Sequence, residues 1–235
     1  MADTDRLYIR QLLSGRDFAA GDRVAEQMVN FAYVIGDREK GEAVIIDPAY
    51  ATAELVGIVE GEGMKVVGAL ATHHHPDHVG GTMMGHTLEG VAQLDVPIHV
   101  HRDEAPFVQR VTGVADTDLV PHDSGDTVMV GDIPIEVLHT PGHTPGSMCF
   151  LVANVLVSGD TLFLEGCGRT DFPGSDPSAM YDSLMKLATL PDDTIVAAGH
   201  WYSQPPLANL GDVKQANYVL QPRTKEAWLM MFGGQ

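Results

Sequence analysis

The chain has few basic residues, few cysteines and no long apolar run. Its 14 lysine and arginine residues stand against 32 aspartate and glutamate residues, which gives a formal net charge of −18. This excess of negative charge argues against a nucleic-acid backbone or an anionic membrane surface as the main partner. No apolar run approaches the roughly 18 residues of a membrane span. We therefore expect neither nucleic-acid binding, which argues against a nuclease, nor membrane insertion.

The two cysteines, Cys149 and Cys167, are too few for a disulfide framework. The first ten residues are charged and lack the apolar segment of a signal peptide. Both features favour a cytoplasmic protein. The 235 residues are 44% hydrophobic and 20% charged, which is ordinary for a globular protein. We expect residues 1–235 to form one domain, and the sequence leaves a homodimer open.

Short apolar runs alternate with amphipathic stretches, a pattern that indicates an α/β protein with sheets covered by helices. Helices are predicted at 52–60, where Thr52 would be the N-cap, at 179–190 and at 223–232. The C-terminal segment, about 205–235, is expected to be short and helical. Strands are predicted at 8–13, 28–36, 43–46, 66–71, 97–101, 126–130, 133–138, 150–152, 155–158 and 194–198.

Four potential metal ligands follow the predicted strand at 66–71: His73, His75, Asp77 and His78. Imidazole nitrogen and carboxylate oxygen are ligands for zinc, iron and manganese. In an extended segment residues 73, 75 and 77 point to the same side, so His74 is expected to point elsewhere. The alternative is a histidine-rich surface loop, or an N-capping aspartate with incidental histidines, that binds no metal.

Three further residues of the same kind each follow an apolar strand: His143, Asp160 and His200. Loops at strand ends gather at one edge of a sheet and often carry function. The sequence therefore predicts a metal centre built from four separate loops. A metal-binding module without catalytic activity is the alternative.

These residues, together with Ile46-Asp47-Pro48, make the chain resemble the metallo-β-lactamase-fold enzymes, above all their glyoxalase II and persulfide dioxygenase branches. The resemblance covers the chain from Tyr8 to Phe232. It implies a four-layer αββα sandwich with the site at one edge, between two sheets. It also implies two divalent ions, which could be zinc, iron or manganese. Their seven ligands would be His73, His75 and His143 at the first position, Asp77, His78 and His200 at the second, and Asp160 bridging the two.

The two branches imply different reactions. A glyoxalase II-like hydrolase would use a metal-bound hydroxide to cleave a thioester of a low-molecular-weight thiol, and Asp77 could also orient the water. A dioxygenase would hold a single Fe(II) on His73, His143 and Asp160 and oxidise a glutathione-type persulfide to sulfite. Residues 166–172 resemble the dioxygenase branch, whereas residues 199–202 resemble the hydrolases. We place the hydrolase first.

Two residues are candidates for contact with the substrate. Arg169 could bind a substrate carboxylate, although an ion pair with Asp171 or Asp176 is the alternative. Tyr202 could donate a hydrogen bond to the substrate or to an oxyanion, although it could also be a rim aromatic. Arg223 and Lys225 could form a small positive rim for an acidic thiol substrate; the alternative is that they are solvent-exposed charges at the start of a helix. The remaining candidates are expected to pack or to form ordinary hydrogen bonds: Cys167, His86, His99, His101, His122 and His139.

Overall fold

The structure, a computed structural model, describes residues 6–221 and 224–232. Their strands, in chain order, are β1 (Leu7–Leu13), β2 (Phe31–Asp37), β3 (Glu42–Ile46), β4 (Lys65–Leu70), β5 (Gly81–Met83), β6 (His86–Leu88), β7 (Ile98–His101), β8 (Leu119–His122), β9 (Thr127–Val130), β10 (Ile133–His139), β11 (Met148–Val152), β12 (Val155–Gly159), β13 (Ile195–Ala198) and β14 (Leu207–Asn209).

The α-helices of the same residues are α1 (Arg23–Met28), α2 (Thr52–Gly61), α3 (Pro76–Val79), α4 (Ala105–Thr112), α5 (Pro177–Leu187), α6 (Leu210–Ala216) and α7 (Lys225–Phe232). Single 3₁₀ turns lie at Val91–Gln93, Asp116–Asp118 and Tyr218–Leu220. Among the described residues, no helix combines the length and the apolar character that crossing a membrane requires.

Two six-stranded sheets form the centre of the fold. The first has the strand order β1-β2-β3-β4-β7-β8, and the second has the order β14-β13-β12-β11-β10-β9. Strands β5 and β6 form a separate hairpin. The alternation of β10 shows how the second sheet faces the first: Ile133, Ile135 and Val137 are buried, whereas Pro134 and Glu136 are exposed. The buried side chains meet those of β2, β3 and β11 between the sheets.

Helices cover the outer faces of both sheets. The apolar sides of α1 and α2 pack on the first sheet around Leu55 and Val59. The second sheet is covered by α5, α6 and α7, whose buried residues include Met180, Leu184 and Trp228. This order of layers confirms the predicted αββα sandwich.

Strand direction brings the loops of interest to one edge. Strands β3, β4, β7 and β8 are parallel, and so are β12 and β13. Strand β10 runs in the direction of β12 because each is antiparallel to β11. The carboxyl ends of these strands therefore point to the same edge of the sandwich, where loops gather in α/β folds.

Two predictions near the N-terminus are wrong in detail. The predicted strand at 28–36 begins only at Phe31, because residues 23–28 form α1. The Asp22 carboxylate caps that helix by accepting hydrogen bonds from the amides of Val24 and Ala25. Thr52 is the first helical residue of α2 and not its N-cap. Its hydroxyl instead donates to Glu89 at 3.0 Å.

The C-terminal segment packs into the fold through α7. Trp228 is fully buried, and its indole donates to the carbonyl of Val219 at 3.0 Å. Lys225 lies 2.5 Å from the carboxylate of Asp182 on α5. The predicted helix thus starts two residues later than expected, and Arg223, the other half of the proposed positive rim, lies outside the described residues.

Replacing Trp228 tests whether α7 stabilises the fold. We expect Trp228→Ala to lower the free energy of unfolding by about 3–5 kcal/mol, because it opens a cavity and leaves the Val219 carbonyl without its donor. The matched control is Met231→Ala on the same helix, whose side chain is exposed; it should change stability by less than about 0.5 kcal/mol. Urea unfolding of the two variants measures this. Equal stabilities would mean that α7 does not hold the fold.

Candidate metal centre

The structure brings together all seven predicted ligand-type side chains at the shared edge. The 73–78 segment follows β4, and the other three residues follow β10, β12 and β13. Backbone hydrogen bonds join the two sheets there: the amide of Phe31 donates to Gly199 at 2.8 Å, and that of Met148 donates to Thr72 at 2.8 Å. The side chains therefore converge because the ends of the two sheets are joined.

His73, His75 and His143 form a first trio of side chains. His75 Nδ1 lies 3.0 Å from His73 Nε2 and 3.0 Å from His143 Nε2. Ligand atoms bound to one ion at about 2.0–2.2 Å lie about 3–4 Å from one another. The three nitrogens thus have the spacing of ligands to a single ion.

Asp77, His78 and His200 form a second trio. Asp77 Oδ2 lies 3.6 Å from His78 Nε2 and 3.6 Å from His200 Nε2, and the two nitrogens are 3.2 Å apart. Asp160 stands between the trios: its oxygens lie 3.5 Å from His78, 3.6 Å from His143 and 3.4 Å from His200. One carboxylate can therefore serve both positions.

Hydrogen bonds to the outer ring nitrogens set the direction of the inner ones. The Nδ1 atoms of His143 and His200 each donate at 2.8 Å to a backbone carbonyl, those of Arg169 and Met28 respectively. The proton on Nδ1 leaves a lone pair on Nε2 in the neutral ring. This arrangement is typical of histidines that bind metals.

Asp47 sets the direction of two further rings. Its Oδ2 accepts hydrogen bonds from His78 Nδ1 at 2.9 Å and from the hydroxyl of Thr72 at 2.7 Å, and its Oδ1 accepts from the amide of Thr72 at 2.7 Å. The Thr72 hydroxyl, with its hydrogen on Asp47, accepts from His73 Nδ1 at 3.0 Å. Asp47 thus orients His78 directly and His73 through Thr72.

The electric field within the cluster favours a cation. Burial opposes a charge on His78, but the carboxylates of Asp160, Asp77 and Asp47 outweigh it and raise the pKa of His78 to about 10. Burial and the neighbouring His143 lower the pKa of His75 to about 4, so its ring is neutral at pH 7. Although burial opposes charge on Asp160, the neighbouring His200 and His78 hold its pKa well below the usual range.

Asp160 provides a direct test of whether a metal fits. Its Oδ1 is buried and has no hydrogen-bond partner. An unpaired buried carboxylate oxygen is costly unless a cation satisfies it. Gly199 explains how the oxygen can lie so close to the chain, because a Cβ at that position would come within 2.5 Å of it. The residues present therefore fit a divalent cation.

The two trios open onto a cavity of about 530 Å³. Its walls are largely apolar, and Arg169 and Tyr202 both line it. The other lining residues are Met28, His75, Pro76, Asp77, Met83, Met84, His143, Asp160, Phe163, Cys167, Gly168, Phe172 and His200. Burial raises the pKa of Cys167 to about 12, which keeps the thiol protonated, in line with its predicted packing role.

The two candidate substrate residues, Arg169 and Tyr202, differ in the contacts that they already make with other side chains. Arg169 forms a two-pronged ion pair with Asp171, at 2.8 and 2.5 Å, and stacks on Phe172. The alternative ion pair is therefore present, although Arg169 also lines the cavity. The ring of Tyr202 stacks on that of His200, with a 4.8 Å centroid separation and an angle of 4°.

Five of the other histidines pair with groups outside the two trios: His74, His99, His101, His122 and His139. His74 points away from the trios, as predicted, and its Nδ1 lies 2.5 Å from Glu104. His99 Nδ1 lies 2.8 Å from His122 Nε2. His101 is buried, accepts a hydrogen bond from the amide of Asp103 at 3.2 Å and stacks on His139 at 3.6 Å and 10°. Together with the exposed Asp103, this pair places three potential ligand atoms within 4.8 Å of one another, away from the two trios.

Sequence reasoning missed two residues that support the centre. Glu104 is buried, and its carboxylate accepts from the amides of His74 and Gly146, at 2.8 Å each, which joins two of the loops. Asn30 is buried against the second trio, with Nδ2 3.1 Å from Asp77 Oδ2. Neither residue stands near the ligand-type residues in sequence, so spacing alone carries no signal for them.

Comparisons with known proteins agree with this geometry. A model of the metallo-beta-lactamase superfamily matches residues 26–200. The chain is 39% identical over 199 residues to the hydroxyacylglutathione hydrolase of Rhodopseudomonas palustris (strain HaA2), an alignment that covers 84% of this chain and 72% of the relative.

Solved structures give the same result. ETHE1 from Myxococcus xanthus matches with a TM-score of 0.77 and 26% identity, over 97% of this chain and 90% of that chain. TTHA1623 in a di-iron-bound form matches with a TM-score of 0.64 and 32% identity, over 81% of this chain and 95% of that chain. Together with the two trios, the family match and the di-iron neighbour support divalent metal binding by this chain.

Replacing Asp47 tests whether the outer hydrogen bonds matter. We expect Asp47→Asn to weaken zinc binding about 10- to 100-fold. Both carboxylate oxygens of Asp47 accept hydrogen bonds from Thr72 or His78, and the NH₂ group of an asparagine would face one of these donors without being able to accept from it. The control is Asp192→Asn, an exposed carboxylate paired with Lys214, which should leave zinc affinity unchanged. Titration against a chromophoric chelator measures both. Equal zinc affinity in the two variants would contradict the proposed role of Asp47.

Proposed function

Because the chain belongs to the metallo-β-lactamase superfamily, we propose that it is a metal-dependent hydrolase that cleaves a thioester of a low-molecular-weight thiol. The proposed ligands are His73, His75 and His143 at the first position, Asp77, His78 and His200 at the second, and Asp160 between them. The proposed ions are two divalent cations of zinc, iron or manganese.

One observation carries this proposal. The inner donor atoms of both trios lie 3.0–3.6 Å apart, while the outer nitrogens of His73, His78, His143 and His200 are hydrogen-bonded to oxygen atoms. The inner nitrogens are thereby directed at common points, next to an unpaired oxygen of Asp160. Bound divalent ions would supply a hydroxide at neutral pH and polarise the thioester carbonyl.

The side chains around the cavity supply the remaining functions. Asp77 lines the cavity and is positioned to orient a water molecule. Although Tyr202 is 57% exposed, partial desolvation at the cavity wall, followed by the charge of Asp160, raises its pKa to about 12, so its hydroxyl keeps its proton at neutral pH. A protonated hydroxyl at the cavity wall can donate a hydrogen bond to the oxyanion that forms during thioester cleavage.

The relatives indicate the class of substrate. The relatives from Rhodopseudomonas palustris and Xanthomonas campestris are named hydroxyacylglutathione hydrolases, so we propose a small thiol-derived substrate for this chain. Arg169 is the residue most suited to a carboxylate of the thiol, and it would share its guanidinium with Asp171. The cavity of about 530 Å³ is within the range of small-ligand sites.

The second candidate function is that of a mononuclear-iron persulfide dioxygenase. The similarity to ETHE1 from Myxococcus xanthus over 90% of its chain favours it. Its iron would be held by His73, His143 and Asp160, and His143 Nε2 lies 3.6 Å from Asp160 Oδ2. The hydrolase stands first because all seven side chains of a two-ion centre converge.

Three broader expectations are also proposals. We propose that residues 1–235 form one domain, since α7 packs on α5 and buries Trp228. A cytoplasmic location is proposed from the low cysteine count. A homodimer is proposed only as one possible assembly, which the sequence leaves open.

Parallel assays separate the two functions. We expect zinc- or iron-loaded protein to release free thiol from S-D-lactoylglutathione, and the metal-free protein to be at least about 100-fold slower. With ferrous protein and glutathione persulfide, an oxygen electrode should give a flat trace. Oxygen uptake without thioester cleavage would reverse this order. Zinc binding without either activity would favour a non-catalytic metal-binding module.

Tyr202→Phe tests the oxyanion role. The phenyl ring can keep the stack on His200, so zinc content should be unchanged, while kcat for the thioester should fall about 10- to 100-fold. Steady-state kinetics with metal analysis measure both quantities. The exposed Tyr218 offers the matched control Tyr218→Phe. If both variants turn over like the wild type, Tyr202 is a rim aromatic only.

A further inference from the structure

Asn30 occupies a buried position beside the second trio. It lies between α1 and β2, and its residue is only 4% exposed. Its backbone carbonyl accepts from the amide of Ser14 at 2.9 Å, and the segment forms a bridge with His200. The side chain is therefore directed at the metal centre by backbone held on both sides.

The carboxamide of Asn30 presents its amino group to all three donor atoms of the second trio. Nδ2 lies 3.1 Å from Asp77 Oδ2, 3.3 Å from His78 Nε2 and 3.5 Å from His200 Nε2. At its other end, Oδ1 accepts a hydrogen bond from the Tyr50 hydroxyl at 2.8 Å. Tyr50 is itself buried, so its donor has a fixed place.

These contacts fix which end of the amide faces the trio. His78 and His200 each have Nδ1 hydrogen-bonded to an oxygen, of Asp47 and of the carbonyl of Met28 respectively, so Nε2 is the acceptor in the deprotonated form of each ring, which is the form that binds a metal. A carboxylate, two ring lone pairs and the Tyr50 hydroxyl together suit an amide with NH₂ toward the trio and oxygen toward Tyr50. The same lone pairs are the ones that a cation would use.

The first trio differs in this respect. Among the hydrogen bonds of the described residues, no amide or cationic side chain donates to the inner atoms His73 Nε2, His75 Nδ1 or His143 Nε2. Their close neighbours are one another and the carboxylate of Asp160. A cation at the first position therefore displaces no donor, whereas one at the second position competes with the amide of Asn30.

We propose that Asn30, held by Tyr50, competes with a divalent cation for the donor atoms of Asp77, His78 and His200 and makes the second position the weaker of the two. This inference rests on the proposed metal centre, not on the proposed reaction. It implies a state in which one ion occupies the first position while the second position is free.

Zinc titration of the metal-free, full-length protein against a chromophoric chelator tests the inference. The wild type should bind two ions in separate steps, with the second dissociation constant at least about tenfold above the first. In Asn30→Ala the second constant should fall about 5- to 10-fold, the worth of a lost competing hydrogen bond, while the first changes less than about twofold. The unchanged first step also reports that the variant is folded.

Two further variants sharpen the result. Tyr50→Phe leaves the amide in place but removes the bond that holds it, so the second constant should fall about 2- to 5-fold. Asn154→Ala, an exposed asparagine on a turn, should change neither constant. If Asn30→Ala does not fold, Tyr50→Phe decides the question.

Several outcomes overturn the inference. Equal zinc affinities at both positions in the wild type would remove it. A second constant that is unchanged or higher in Asn30→Ala would show that the amide supports Asp77 or ligates the ion through its oxygen, and an unchanged constant in Tyr50→Phe would count equally against it. Absence of thioester cleavage alongside the expected titration would remove the proposed reaction and leave the inference standing.

Discussion

The structure depends on the hydrogen bonds that hold the outer ring nitrogens of the clustered histidines. In the neutral ring that binds a metal, each bond fixes the proton on the outer nitrogen and leaves a lone pair on the inner one. With several lone pairs and carboxylates directed at two common points, the cluster is unfavourable without a cation. Stability of this edge of the sandwich and metal binding are therefore coupled.

The sandwich explains how residues so far apart in sequence reach these points. Parallel strand ends place the ligand loops on one edge, and Phe31 and Met148 join the two sheets there through backbone hydrogen bonds. Asp47 acts beside this join, because from the end of β3 it binds His78 and also Thr72, whose carbonyl accepts the hydrogen bond from Met148. The precision of the centre thus comes from the strands and from bonds that no ligand makes itself.

The two metal positions have different surroundings, and this bears on the choice of reaction. The first trio has only imidazoles and Asp160 near its donor atoms, whereas Asn30 covers the second. A chain that fills both positions has the equipment of a two-ion hydrolase. A chain that fills only the first position still offers His73, His143 and Asp160 there, and two histidines with one carboxylate are the set that a single iron uses. The same fold can therefore support either branch, and occupancy of the second position separates them.

The ligand positions were predictable because each ligand-type residue or segment lies within a few residues of the end of an apolar strand. The 73–78 segment, His143, Asp160 and His200 each carry that local signal, and the αββα layers follow from the family resemblance. The supporting residues carry none: Asn30, Tyr50 and Glu104 reach the centre only through tertiary packing. Helix α1 was missed because a six-residue helix held by its Asp22 cap has too little periodicity to compete with the apolar run after it.

An anomalous diffraction experiment on zinc-soaked crystals, recorded at the zinc absorption edge, tests the central claim most directly. The account predicts a strong peak about 2.0–2.2 Å from His73 Nε2, His75 Nδ1 and His143 Nε2. A map without a peak among these three atoms, or with its strongest peak at the stacked pair of His101 and His139, would contradict it.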